Sequence, residues 1–161
     1  MAREQLATEP VALAPLFEQL RAAHADQAAA RGIALVVRAN EQVAQANPAM
    51  LQIAVRNLLD NAMRYCPDGS RIELAATRAD ERIVVAVRDN GPGVDAASRQ
   101  RLTERFYRVL GHGSGQGGSG LGLSIVQRIV ELHGGSLVFG AGLDGGGLGV
   151  AFDLPAARSA Y

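Results

Sequence analysis

Asn57, Asn61, Arg64 and Tyr65 lie in one apolar-patterned run, and their side chains are of types that could work together. If the run is helical, spacings of four and three stack Asn57, Asn61 and Arg64 along one edge, with Tyr65 beside them. Two amide oxygens suit a hard cation such as magnesium, a guanidinium suits phosphate, and a ring suits a flat base. Taken alone, that edge reads as a solvated polar face.

Two further stretches change the balance. Asp89-Asn-Gly-Pro-Gly93 follows the dense apolar run Ile83-Val-Val-Ala-Val87. An acid closing a buried strand is costly unless it is hydrogen-bonded. An ionised carboxylate only accepts, so it suits adenine's exocyclic amine and disfavours guanine, which presents a carbonyl oxygen there. Gly91 and Gly93 lack Cβ atoms and let the backbone approach a flat ring, although by themselves they equally describe an ordinary turn. Gly118-Ser119-Gly120-Leu121-Gly122-Leu123 then runs straight into a helical pattern, whose free amides and positive dipole end make a site for distal phosphates. The three stretches in this order describe a purine triphosphate pocket. The overlapping Gly113-Ser-Gly-Gln-Gly-Gly118 fits a dinucleotide fingerprint, but it repeats in shifted register with no strand before it and is compositional.

The elements that must position these groups follow from periodicity. Val11 to Leu13 is a short extended candidate, and a helix is expected from Pro15 to Arg31 with Leu16, Phe17, Leu20 and Ala23 as its stripe and Gly32 as its stop. Ile33 to Arg38 reads as a strand. Asn47-Pro48 opens a helix to Tyr65, a side-chain cap followed by a ring already at a helical angle, with Leu51, Ala54, Val55, Leu58, Leu59 and Ala62 buried. Arg71 to Thr77 and Arg82 to Arg88 form a central hairpin turning near Ala79-Asp80-Glu81. Ala96 to Phe106 is a modest helix, Gly111 to Gly120 a mobile Gly/Ser segment, and Leu121 to His133 a second well-patterned helix stopped by Gly134. Strands at Ser136 to Phe139 and Leu148 to Leu154 complete a mixed sheet of about five strands with three main helices on one face, an α/β two-layer sandwich.

Composition narrows the chemistry. A chain of 161 residues is one ordinary domain, and no repeat or second domain is evident. Net charge is zero with arginines scattered, which argues against nucleic acid or an anionic membrane as partner. All sixteen basic residues are Arg, so a Gly-x-x-x-x-Gly-Lys phosphate loop and the strand lysine of eukaryote-type protein kinases are excluded. Cys66 is the single cysteine and reads as a small buried apolar side chain. His24 is expected in the core, His133 in a last helical turn where positive charge is favourable, and His112 in the mobile segment. No Cys/His spacing suggests zinc, and no secretion signal or membrane span is visible.

In these residues the chain resembles the catalytic, ATP-binding domain of bacterial sensor histidine kinases, a Bergerat-type fold within the superfamily of gyrase-like, chaperone and mismatch-repair ATPases. The match runs over nearly the whole chain. Asn57-Leu-Leu-Asp-Asn-Ala-Met-Arg-Tyr65 resembles the N box, Asp89-Asn-Gly-Pro-Gly-Val94 the first glycine box, Arg105-Phe-Tyr-Arg108 the F box, and Gly118-Ser-Gly-Leu-Gly-Leu123 the second glycine box. The resemblance implies Mg-ATP as ligand. Asn61 would coordinate magnesium, Asn57 and Arg64 would address the phosphates, Tyr65 would lie against adenine, and Asp89 would bond its amine. Gly91, Gly93 and Val94 would shape the base pocket. Arg108 to Leu121 would form a lid, with Gly118, Ser119, Gly120, Gly122 and Leu123 at its hinge and phosphate contacts, and Phe106 and Tyr107 would anchor it.

The hydrolysing branches of the superfamily carry Glu four residues before the magnesium Asn, as a general base. Here that position is Asn57, an amide unable to take a proton near neutral pH, which favours transfer to an external histidine over hydrolysis. No histidine here has the flanking acid, Arg or Lys, and Pro of a phosphoacceptor helix, so that helical hairpin and a sensor part are expected upstream in a longer protein. The implied partners are that phosphoacceptor domain and a response regulator, with the domain itself cytoplasmic and free of direct membrane contact. The alternatives are a hydrolytic ATPase module using the same pocket and a non-catalytic nucleotide-binding interaction domain.

Overall fold

Where the apolar period along the chain changes from two residues to 3.6, the backbone changes from strand to helix. In the computed structural model the described residues are 6–90, 118–143 and 148–157. They form β1 (Glu9–Ala12), α1 (Leu13–Ala23), α2 (Ala25–Ala30), β2 (Ala34–Arg38), β3 (Val43–Ala46), α3 (Pro48–Tyr65), β4 (Arg71–Ala79), β5 (Arg82–Asp89), α4 (Gly118–Leu132), β6 (Leu137–Ala141) and β7 (Leu148–Pro155). The expected helix from Ala96 to Phe106 lies outside the described residues. Among the described residues no helix is long and apolar enough to cross a membrane.

The principal sheet has the order β2-β4-β5-β7-β6. Strands β2 and β4 run parallel, and every other neighbouring pair is antiparallel, so the sheet is mixed as expected. The central hairpin pairs Ile72 with Asp89 at one end and Ala79 with Arg82 at its turn, where Asp80 takes a φ of 57° that an Asp tolerates. Alternation along the strands then assigns the faces. Ile72, Leu74 and Ala76, Ile83, Val85 and Val87, and Phe152 and Leu154 are all buried in one core with Leu51, Leu58 and Leu59 of α3 and Leu123, Val126 and Val130 of α4. Asp89 continues the β5 alternation, so its carboxylate shares the helix-covered face with Val87 and Val85.

Helix α3 begins as its sequence dictates. Asn47 Oδ1 accepts from the Met50 amide at 3.0 Å, and Pro48 fills the first helical position. Three other elements depart from sequence expectation. The helix expected from Pro15 to Arg31 divides at His24, whose ring turns inward to reach Asp60 of α3 at 2.6 Å, a bond between distant residues that local propensity cannot register. Strand β3 pairs antiparallel with β1 in a separate two-stranded sheet, and its Val-Ala-Gln-Ala sequence carries too little β-branched character to announce it. Helix α4 starts at Gly118, three residues before the expected Leu121, so Gly118 to Gly120 are helical. Glycine's helix penalty of about 1 kcal/mol argues against those residues one by one. Burial of Leu123 and Val126 fixes the following turn, and extending an existing helix is far easier than nucleating one.

The α4 to β6 turn is tightly determined. Gly134 takes φ 73°, and the Gly135 amide donates to the Val130 carbonyl at 2.9 Å, closing the helix. Asp153 of β7 accepts from the Ser136 amide at 2.7 Å and from Arg82 Nε at 2.8 Å, while Arg82 also donates to the Gly134 carbonyl at 3.1 Å. Burial would raise the Asp153 carboxyl, but the Ser136 amide and the Arg82 guanidinium overcome it and hold the group below the ordinary carboxylate range.

A Cβ on Gly135 would stand 1.9 Å from the Asp153 carbonyl oxygen, which is backbone and cannot swing aside. Gly135→Ala should therefore lose about 3 kcal/mol or more in urea denaturation. Because the Asp153 carboxyl is depressed on folding, its contribution is fully present above the unfolded value near 3.9 and is lost as pH falls through the folded value. Asp153→Asn should lower stability at neutral pH and flatten that acid limb of a stability-against-pH series.

Candidate functional site

The α3 edge forms as the spacing predicts, and its hydrogen bonds set the direction of the amides. Asn57 Nδ2 donates to the Ile53 carbonyl at 2.9 Å and Asn61 Nδ2 to the Asn57 carbonyl at 3.0 Å. Each amide nitrogen is thereby turned onto its own helix, and each Oδ1 is the atom presented outward. Asn57 is half-buried, Asn61 is only 6% exposed, and Arg64 is exposed one turn on. Outward-facing carbonyl-type oxygens are what a hard cation accepts, and a guanidinium beyond them suits an anion.

At the far end of the helix the chain brings Asp89 alongside. The Asn90 side chain accepts from the Arg71 amide at 2.7 Å and the Asn90 amide donates to the Arg71 carbonyl at 3.1 Å, so the β4–β5 ladder is held shut past Asp89. Asp89 is 8% exposed. Burial and the Asp89 charge push the Cys66 thiol up, while Arg31 and Ser70 partly oppose them, so the strand-end acid and the α3 C-terminus are electrostatic neighbours. Cys66 is buried and free, in keeping with the small buried apolar side chain expected from sequence, and the raised thiol makes it unreactive.

Tyr65 closes α3, with its ring outside the described residues. The second glycine box makes the first turns of α4, which packs against α3. Within it, Leu123 belongs to the core, and the side chains of Ser119 and Leu121 lie outside the described residues. Gly91, Gly93, Val94, Phe106, Tyr107 and Arg108 also lie outside them. Among the described residues there is no cluster of three or more His, Cys, Asp or Glu that could hold a metal. An Asn oxygen is nonetheless the donor expected where magnesium arrives with phosphates, because that ion takes few protein ligands.

Three residues position the site through bonds that were not read from sequence. Arg31 Nη1 donates to the Met63 carbonyl, Nη2 to the Cys66 carbonyl at 2.6 Å, and Nε to Asp68 at 2.7 Å, so one guanidinium satisfies the open C-terminal end of α3. His24 is in the core as expected, but it also ties Asp60 on α3 to α1, with Nδ1 on the Leu20 carbonyl at 2.8 Å. His133 Nε2 accepts from the Asn47 amide at 3.1 Å and Nδ1 donates to the Ile129 carbonyl at 2.8 Å. A ring accepting at one nitrogen and donating at the other is neutral, so His133 joins α4 to the start of α3 and does not serve as a helix-end cation. For Arg31 and His133 the only sequence signal was a polar residue beside a glycine stop, Gly32 and Gly134, and for His24 it was the apolar helix face that it shares with Phe17 and Leu20.

Residues 46–158 match the model of the histidine kinase-, DNA gyrase B- and HSP90-like ATPase family, and the chain belongs to that family. It is 43% identical over 136 residues to the sensor protein QseC of Escherichia coli strain K12, covering 81% of this chain and 29% of that protein. It is 43% identical over 128 residues to the sensor protein kinase PmrB of Pseudomonas aeruginosa, covering 80% of this chain and 27% of that one. The chain thus spans under a third of the length of these relatives. Among solved structures, full-length ShkA in complex with AMPPNP superposes with a TM-score of 0.78 at 27% identity, over 99% of this chain and 33% of that one. The mycobacterial sensor histidine kinase MprB superposes at 0.72 and 27% identity, over 95% of this chain and all (100%) of that one. The fold and the relatives are those of the catalytic ATPase module of sensor histidine kinases.

The Arg31 fork can be tested apart from any ligand. Arg31→Ala leaves two carbonyls at the α3 terminus without their charged donor and should cost about 2 to 3 kcal/mol in urea denaturation. Arg31→Lys should recover only part of this, because an ammonium cannot span the two carbonyls as a planar fork does.

Proposed function

We propose that this domain binds Mg-ATP between the α3 edge, the strand-end Asp89 and the start of α4, and donates the γ-phosphate to a histidine on a separate helical phosphoacceptor domain of the same sensor protein. The observation that carries the proposal is the fixed orientation of the Asn57 and Asn61 amides, oxygen outward, on the helix whose other end adjoins a buried acid. Magnesium entering with the nucleotide supplies charge neutralisation across the transferring phosphate.

This chain's residues supply position. Asn61 Oδ1 holds the substrate's cation, Asn57 and Arg64 hold phosphate oxygens, and the amides opening α4, in Gly118 to Leu123, face the distal phosphates. Tyr65 lies against the base, Asp89 accepts from its amine, and Gly91, Gly93 and Val94 complete the base pocket. Residues from about Arg108 to Leu121 act as the lid, anchored by Phe106 and Tyr107. Phosphoryl transfer asks mainly for alignment and charge stabilisation, and the acceptor histidine brings its own nucleophile, so Asn57 in place of a general base is no handicap. In the full-length protein the domain works on the cytoplasmic side, with a response regulator downstream. Alone it binds nucleotide without transferring phosphate.

Calorimetry with a non-hydrolysable ATP analogue and magnesium should give saturable binding that Asn61→Ala and Asp89→Ala each weaken about tenfold or more while remaining folded by circular dichroism. Mg-ATP should raise Tm and Mg-GTP should not. Unchanged affinity in both variants would remove the assignment.

A further inference from the structure

One buried polar atom near Asp89 is left without a partner by the fold. Ser70 is 1% exposed, and its Oγ is the one buried side-chain N or O atom without a hydrogen bond among the described residues. Its backbone is fully engaged, the amide donating to the Pro67 carbonyl at 3.2 Å and the carbonyl accepting from the Ala34 amide at 3.0 Å, so the residue is fixed in place. It lies near the Cys66 thiol, close enough to influence it, yet no hydrogen bond of ordinary geometry joins the two.

Register puts the orphan on the same side as the acid. Ile72 and Asp89 are direct antiparallel partners, so their side chains share one face, and Ser70, just before β4, is buried where Arg71 is exposed and acts with Asp89 on the same Cys66 thiol. The Asp89 carboxylate and the Ser70 hydroxyl therefore stand on the helix-covered face at the same end of adjacent strands. A buried hydroxyl without a partner costs about 1 to 3 kcal/mol, and such a group in an otherwise satisfied core calls for a role outside the empty fold.

Adenine supplies the chemistry that matches the pair. Its recognition edge presents an amine, which needs an acceptor, and next to it a bare ring nitrogen, N1, which needs a donor. Asp89 can only accept, so the amine is matched and N1 is not. A hydroxyl can donate. Building on the ATP reading above, we infer that Ser70 is a base-contacting residue of the pocket, its hydroxyl donating to purine N1 in direct contact or across one water while Asp89 takes the amine. Guanine and hypoxanthine set a carbonyl oxygen against the carboxylate, which can only accept, so Asp89 makes the choice between purines, whereas a hydroxyl can donate to N1 or accept from N1–H. The two residues thus bind two adjacent positions of one base, Asp89 supplying selectivity and Ser70 affinity.

The test uses the full chain, Ser70→Ala, and two nucleotides: ATP and 1-deaza-ATP, which keeps the amine and lacks N1. The wild type should bind 1-deaza-ATP about fivefold more weakly than ATP, and Ser70→Ala should bind both with that same reduced affinity, the value of one ordinary hydrogen bond. Without nucleotide, Ser70→Ala should show a Tm equal to or above that of the wild type, because removing an unsatisfied hydroxyl removes a penalty. Equal affinity of wild type and variant for ATP overturns the inference, as does a Tm lowered by several degrees without nucleotide, which would mean the hydroxyl is already satisfied in the empty fold. Failure of the broader ATP reading looks different: the wild type would then bind neither nucleotide.

Discussion

The seating of α3 on the sheet is the constraint on which the rest depends. That helix carries the polar edge on one side and much of the core on the other, so a small rotation would bury the amides or strip Leu51, Leu58 and Leu59 from the sheet. Apolar packing alone is non-directional and leaves such a rotation only weakly opposed. Directional bonds settle it. His133 holds the first turn through the Asn47 amide, His24 holds the middle through Asp60, and Arg31 gathers the carbonyls at the end. Each bond comes from a different element, so α3 is referenced to α4, to the α1–α2 junction and to the loop before β2.

The polar groups of the site show how an α/β sandwich can present charge at a buried strand end. Asp89 occupies a position whose predecessors on β5 are Val87 and Val85, and the strand's own alternation delivers the carboxylate into the helix-covered layer. Asn90 closes the ladder beyond it and keeps the strand from fraying. The neighbouring thiol and hydroxyl of Cys66 and Ser70 make that end of the core more polar than the rest. The absence of lysine fits the same economy of means: in the proposed site, phosphate would be met by Arg64 and by helix-end amides, not by a flexible ammonium.

The two-layer form also explains how such a module serves within longer proteins. One sheet face is covered by helices, while the other carries Glu73, Arg88 and Asp153 among small residues and needs no further layer. The small β1–β3 sheet attaches to the end of β7 through the bridge between Ala44 and Ala156, so the beginning and end of the described chain are tied to each other. A domain closed in this way can be carried within relatives nearly three times its length without depending on them for its core.

Much of this was legible in the residues themselves. The apolar period placed α3, the central hairpin and β7 within a residue or two, Asn47-Pro48 marked a helix start, and the alternation Ile83, Val85, Val87, Asp89 already put the acid on the inner face. Those features are local, and local sterics and periodicity are written in adjacent residues. Tertiary structure alone decided the break at His24, the pairing of the plain Val-Ala-Gln-Ala strand, the helical state of Gly118 to Gly120, the neutral His133 and the Arg31 fork. Each of these turns on a contact between residues far apart in the chain, and such a contact comes into being only once hydrophobic burial has brought its two sides within hydrogen-bonding or packing distance.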